Sequence, residues 1–176
     1  GITVPGRGFL LNNELTDFSF APPAPGQAPD PNLPGPHKRP RSSMSPTLVL
    51  EDGRPRLALG TPGGSTIITT VLQILMNRVD LGMDLPAALG APRATQRNTP
   101  QVFAEQGFID AHGRELAARG HRLELYPGPP QGVIGAATAL EILRPGLVQA
   151  VAEPVRRGGG SAMVVRPAGG RRADGR

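Results

Sequence analysis

Apolar residues alternate with others over 47–50 and 56–59, and Asp52 and Gly53 between them form a turn dipeptide, which predicts a β-hairpin. The period then changes. Past Pro62, Gly63 and Gly64, apolar residues stand at Ile67, Ile68, Val71, Leu72, Leu75 and Val79, roughly helical spacing with Ser65 as the predicted N-cap. The second strand runs into this helix without a long connection, so the helix is expected to pack on one face of the sheet. Asp84 caps a predicted short helix over 85–89, stopped by Gly90 and Pro92; a longer helix is predicted over 109–119, with Gly120 as its stop signal. Extended segments are predicted at 8–12, 101–105, 121–126, 133–143, 147–152 and 161–166. The fold class that follows is α+β, an antiparallel sheet with helices stacked on it.

Between the first strand and the hairpin lies APPAPGQAPDPNLPGP, residues 21–36, where proline removes donors and excludes helix or sheet interior. The segment reads as a mobile or extended loop over 20–37, lid-like, or as a linker. What precedes it is too short for a domain, so one domain is expected over 1–166 with a disordered tail over 167–176. The 176 residues include 24 Gly and 21 Pro and no Cys, which excludes disulfides, thiolate metal sites and a thiol nucleophile. A net charge of +5 would suit nucleic acid. Much of the excess, however, falls at Arg156, Arg157, Arg166, Arg171, Arg172 and Arg176 among glycines, which reads as a solvated tail. With one Tyr, five Phe and no Trp there is little to stack on bases, so a nucleic-acid partner is not expected. No apolar run is long enough for a membrane span, and the first residues lack signal-peptide order. A start at Gly1 carries the expectation of a chain processed from, or part of, something longer.

The candidate chemistry lies in three places. Asn12, Asn13, Glu14, Thr16 and Asp17 form an acceptor cluster that either faces a cleft or makes an Asx-rich turn satisfying its own backbone. Ser42 and Ser43 offer hydroxyls for a carboxylate, or cap a turn. Gly63 and Gly64 let the backbone approach a bound atom, with helix amides that suit an anion, although glycine before a helix is also a plain turn. His37, His112 and His121 are scattered without ligand spacing and read as surface histidines; no metal or cofactor is expected. GxSxG, Walker and GxGxxG patterns are absent. Carboxylates for an ammonium, hydroxyls for a carboxylate and amides for an oxyanion together suit a zwitterionic amino acid bearing an acyl group, yet no activated nucleophile is identifiable.

At LLNNELTDFS, KRPRSSMSPTLVLEDG and GTPGGSTIITTVLQILMNRVDLGMDLPAALGAPR, in this order and spacing, the sequence closely resembles the γ-glutamyltransferase (γ-glutamyl transpeptidase) family, and the resemblance continues weakly to about Val165. It implies an N-terminal nucleophile hydrolase fold, two antiparallel sheets between helix layers, made by self-cleavage of a precursor into large and small subunits. The chain resembles most of the small subunit. The resemblance implies that Glu14 and Asp17 hold the α-amino group of a γ-glutamyl substrate such as glutathione, Ser42 and Ser43 its α-carboxylate, and the Gly63 and Gly64 amides the oxyanion. Residues 21–36 fall where many bacterial members carry a lid, without its aromatic gate. The family's N-terminal threonine nucleophile has no match here, since Thr3 is neither terminal nor in the motif. The neighbouring Asn is missing with it, and an Arg for the carboxylate would come from the large subunit. Three expectations follow. The intact enzyme transfers the γ-glutamyl group to water or an amine, the chain alone is catalytically silent, and a secreted or cell-envelope location is suggested by the family alone. An inactive pseudo-subunit that binds a partner chain, or a piece of a cephalosporin-type acylase, are the alternatives. Absence of the nucleophile strand is expected to leave an unpaired sheet edge and an uncovered apolar face.

Overall fold

The computed structural model describes residues 2–7, 11–156 and 159–162. It divides into two compact units, Gly1–Met44 and Ser45–Arg176. In the first, a 3-10 turn over Glu14–Asp17 is the only helix among the described residues, and residues 18–44 form neither helix nor strand. Part of the strand expected at 8–12 lies outside the described residues, and Leu11 and Asn12 are not in a strand. Polar side chains do the organising here: Lys38 Nζ donates to the Pro31 and Leu33 carbonyls at 2.8 and 2.6 Å, which gathers the proline-rich segment into a turn.

The second unit starts with β1 (Thr47–Glu51) and β2 (Arg54–Gly60). Asp52 and Gly53 both take positive φ, 51° and 75°, as a two-residue primed turn requires. Next come α1 (Ile67–Leu75), a π turn over Met76–Asp80, α2 (Leu85–Gly90), β3 (Ala94–Thr95), β4 (Gln101–Ala104), α3 (Gln106–Ala118), β5 (Arg122–Leu125), β6 (Thr138–Arg144) and β7 (Leu147–Val151). The larger sheet has strand order β1-β2-β6-β7 and is antiparallel throughout. The smaller sheet, β3-β4-β5, joins an antiparallel pair to a parallel one, β4 with β5. That parallel pair departs from the all-antiparallel expectation because α3 intervenes, giving the long crossover that parallel neighbours need.

One face of the larger sheet presents Leu57, Leu59 and Ala139 to Ile67, Val71, Ile74, Leu85 and Leu89 of α1 and α2. Each of these Leu, Ile and Val side chains contributes about 1.5–3 kcal/mol on burial. Asp84 caps α2 as expected, its carboxylate accepting the Ala87 N–H at 2.7 Å. Gly120 ends α3 at φ +90°, with its own N–H on the Ala117 carbonyl and the His121 N–H on that of Leu116, a Schellman closure. Arg78 in the π turn grips Glu141 of β6 with two hydrogen bonds, 3.0 and 2.6 Å, tying the end of α1 to the sheet.

Several boundaries differ from the expectation. Ser65 is not the cap of α1: it lies in a short 3-10 turn, Gly64–Thr66, and the Thr66 hydroxyl donates to the Gly63 carbonyl at 3.0 Å. Of the six apolar positions in the predicted pattern, Ile67, Val71 and Leu75 face the core, while Ile68 and Leu72 of α1 and Val79 of the π turn are exposed. The strand predicted at 133–143 begins only at Thr138, because the Ile134, Ala136 and Ala137 amides donate to the side chains of Glu105, Thr61 and Glu153 and leave no ladder to extend. On the other face of the larger sheet Leu48, Ala58, Leu140 and Ala150 lie in register across all four strands, with Leu48, Leu50, Leu140 and Val148 exposed. Ser161 and Ala162 are not in a strand, and the remainder of 161–166, with the tail expected at 167–176, lies outside the described residues.

Candidate active site

β2 delivers the chain to Thr61 and Pro62, and the backbone then turns at Gly63 (φ +152°) and Gly64 (φ +55°) into the start of α1. A side chain is excluded at Gly63, since a Cβ there would stand 2.7 Å from Thr66 Oγ1. Neither the Gly63 nor the Gly64 N–H donates to any described residue, although the Gly63 carbonyl is taken by Thr66. Uncommitted amides at the head of a helix carry partial positive charge outward, so this turn can stabilise an anion.

A loop over 133–137 backs the turn. Gly135 (φ +68°) lies so close that an added Cβ would be 2.9 Å from Thr61 Oγ1 and 3.3 Å from Arg93 Nη1. Four buried charges hold this loop. Arg93 donates to the Ile134 carbonyl at 2.7 Å and to Glu153 at 3.1 Å, while Arg156 grips both oxygens of Glu105 at 2.6 and 2.5 Å and reaches Glu153 at 3.1 Å. Glu105 in turn accepts the Ile134 N–H, and Glu153 that of Ala137, both at 2.9 Å. Two arginines and two glutamates cancel, as burial demands. Burial pushes the Glu153 carboxyl up, but Arg93, the Val155 and Ala137 amides and Arg156 outweigh it and hold the group below its ordinary range. Burial likewise opposes the charge on Arg156, and Glu105 reverses the balance. Arg156 is therefore no part of a solvated tail, being only 4% exposed. Its partners are Glu105, which directly follows β4 and is 51 residues away, and Glu153, which follows β7, and glycine neighbours hid the pairing.

Within the first unit, Glu14 and Asp17 open and close the 3-10 turn. The Glu14 N–H donates to Asn12 Oδ1 at 3.1 Å, so an Asx turn is present as one of the two readings foresaw. The cluster is not thereby exhausted: Glu14 Oε1 is buried and has no hydrogen-bond partner among the described residues, and the Asp17 carboxylate is half-buried. Ser42 is exposed and its Oγ accepts the Met44 N–H at 3.1 Å; Ser43 is half-buried. Asn32, unmarked by any sequence pattern, joins these segments. Its side-chain amide donates to the Asp17 carbonyl at 2.7 Å and to Ser19 Oγ at 3.2 Å, while its Oδ1 accepts the Arg41 N–H at 2.8 Å.

Among the described residues no cluster of three His, Asp or Glu could hold a metal. The His112 ring packs tilted against Phe108, centroids 4.9 Å apart and planes at 59°, and His112 and His121 line a groove of about 700 Å³ beside α3. No described helix is long and apolar enough to cross a membrane.

An α+β frame with an uncommitted amide pair at a glycine turn is able to receive negative charge on a bound oxygen. The model of the family described as Gamma-glutamyltranspeptidase matches residues 1–163, and the chain belongs to that family. The glutathione hydrolase proenzyme of Escherichia coli (strain K12) is 40% identical over 152 residues, 78% of this chain and 26% of that protein, so the chain spans about a quarter of that relative's length. An acivicin-inhibited gamma-glutamyltranspeptidase superposes with a TM-score of 0.69 at 33% identity, covering 89% of this chain and 85% of that one. The gamma-glutamyltranspeptidase of Pseudomonas nitroreducens, complexed with L-DON, gives 0.69 at 34% identity over 94% of this chain and 86% of its counterpart. The fold class is α+β of the N-terminal nucleophile hydrolase type.

Proposed function

We propose that this chain supplies the donor-binding part of a γ-glutamyltransferase or glutathione hydrolase, with the attacking threonine and a large subunit of the same precursor contributed from outside these 176 residues. Glu14 and Asp17 hold the α-ammonium of a γ-glutamyl donor, Ser42 and Ser43 its α-carboxylate. The threonine hydroxyl adds to the γ-carbonyl, and its proton passes to the terminal amine that acts as base. Negative charge forms on the former carbonyl oxygen, where the Gly63 and Gly64 amides receive it. Collapse breaks the C–N bond, the departing amine takes the proton, and water or an acceptor amine then releases the acyl group.

The uncommitted amide pair at Gly63 and Gly64 carries this reading. The unpaired Glu14 Oε1 supports it, because a buried carboxylate oxygen without a donor is suited to an ammonium. The test is turnover of γ-glutamyl p-nitroanilide. The chain by itself is expected to show none; the intact parent polypeptide is expected to show it, with KM raised about tenfold to a hundredfold when Ser42→Ala and Ser43→Ala remove charge-assisted hydrogen bonds. An unchanged KM in that double variant, or turnover by the chain alone that the two substitutions abolish, would refute the assignment.

A further inference from the structure

We infer that Asn32 is a positioning residue that sets the spacing between the ammonium-binding and carboxylate-binding groups of the donor site, an inference that rests on the reading just proposed. Asn32 is 8% exposed in a unit whose described residues form no α-helix and no sheet, only one 3-10 turn. Every polar group it owns is engaged. Both amide hydrogens are used, on the Asp17 carbonyl and on Ser19 Oγ, and the amide oxygen takes the Arg41 N–H. Its backbone N–H donates to Asp30 Oδ1 at 2.8 Å and its carbonyl accepts the Ser19 N–H at 3.0 Å. These bonds join segments 15, 13 and 9 residues apart in sequence.

The placement matters more than the number. One end of the amide fixes the backbone of Asp17, whose carboxylate is assigned to the ammonium. The other fixes Arg41, the residue before Ser42. In an amino acid the ammonium and carboxylate share one carbon, so their receptors must keep a set separation, and a displacement of about 1 Å costs on the order of a hundredfold in productive binding. Among the described residues no strand ladder joins the two segments, and the planar amide of Asn32 spans them. Only Asn fits the role: Asp has no hydrogens to donate, and Ser cannot donate twice.

The test compares γ-glutamyl p-nitroanilide with glutaryl p-nitroanilide, which keeps the carboxylate and lacks the amine, in the intact parent polypeptide. Asn32→Ala and the isosteric Asn32→Asp are expected to raise KM for the γ-glutamyl substrate about tenfold with little change in kcat, and to lower the kcat/KM preference for it over the glutaryl substrate by a similar factor. Equal losses on both substrates, or an unchanged preference, would mean that Asn32 serves folding alone and would overturn the proposal. Should Asn32→Ala fail to fold, Asn32→Asp decides, since it keeps the shape and the Arg41 contact while losing both donated bonds. Asp17→Ala separates the two levels. If it collapses the preference and the Asn32 variants do not, the clamp alone falls; if it leaves the preference intact, the ammonium assignment falls and the clamp with it.

Discussion

Two segments of this chain hold candidate donor-site groups without regular structure around them, and they are held by opposite means. Residues 17–41 are pinned chiefly by one neutral amide, that of the buried Asn32, with Lys38 and Asp30 each helping through bonds to neutral groups at less buried positions. Residues 133–137, behind the glycine turn, are pinned by Arg93, Glu105, Glu153 and Arg156, all less than a tenth exposed. The difference lies in charge, since both clusters are buried at their centre and only the second is built of paired ions. A neutral amide can be half-satisfied by water when the segment opens, at a cost of about 1 kcal/mol per hydrogen bond. A buried charge that loses its partner has no such recourse. The first segment can therefore loosen, whereas the second is all-or-none.

Breaking the ionic side should cost most. Glu153→Ala leaves Arg93 without its carboxylate partner and the buried cluster with one positive charge in excess, Arg156 keeping Glu105, and is expected to destabilise the fold by about 3–5 kcal/mol, read from chemical denaturation of the intact polypeptide. A loss under 1 kcal/mol would show that water reaches the cluster. Next in size is Gly135→Ala, which combines a left-handed backbone with the close approach to Thr61 Oγ1. It is expected to cost about 1–3 kcal/mol and to lower kcat on γ-glutamyl p-nitroanilide more than it raises KM, since the loop backs the amides and not the donor's ammonium. A pure KM effect would contradict that division.

The smallest effect concerns acid. Hydrogen bonds from Ser19 and the Asn32 N–H, helped by Arg41 and Lys38, hold the Asp30 carboxyl below its ordinary range. A carboxyl depressed on folding stabilises the folded state above its unfolded pKa, about 3.9, and the contribution is lost as pH falls through the folded value. Glu153 follows the same sign from about 4.3. Donor KM is accordingly expected to climb below about pH 4, through Asp30. Asp30→Asn should flatten that climb; an identical acid limb in wild type and variant would remove Asp30 from the network.

Much of the frame was legible residue by residue. Asp52–Gly53 announced the hairpin, Asp84 the start of α2 and Gly120 the end of α3, because each signal acts on backbone within four or five residues of itself. The three patches of candidate chemistry, Glu14 with Asp17, Ser42 with Ser43, and Gly63 with Gly64, were also marked by local composition. Legibility stopped where a residue's role depends on a distant partner. Arg156 looks like a solvated arginine beside glycines until Glu105, 51 residues away, closes on it. Residues 133–137 read as strand until Glu105, Glu153 and Thr61 take their amides. Asn32 sits in a proline-rich run with no pattern to single it out.

Hydrophobic period, caps and turn residues determined the elements and their order, since those are short-range properties of backbone sterics and local hydrogen bonding. Tertiary structure alone decided that β4 and β5 run parallel, that Arg93 and Arg156 are interior, and that one asparagine bridges Asp17 and Arg41. The physical reason is that a buried polar group is defined by who satisfies it, and the chain names that partner only once it has folded back on itself.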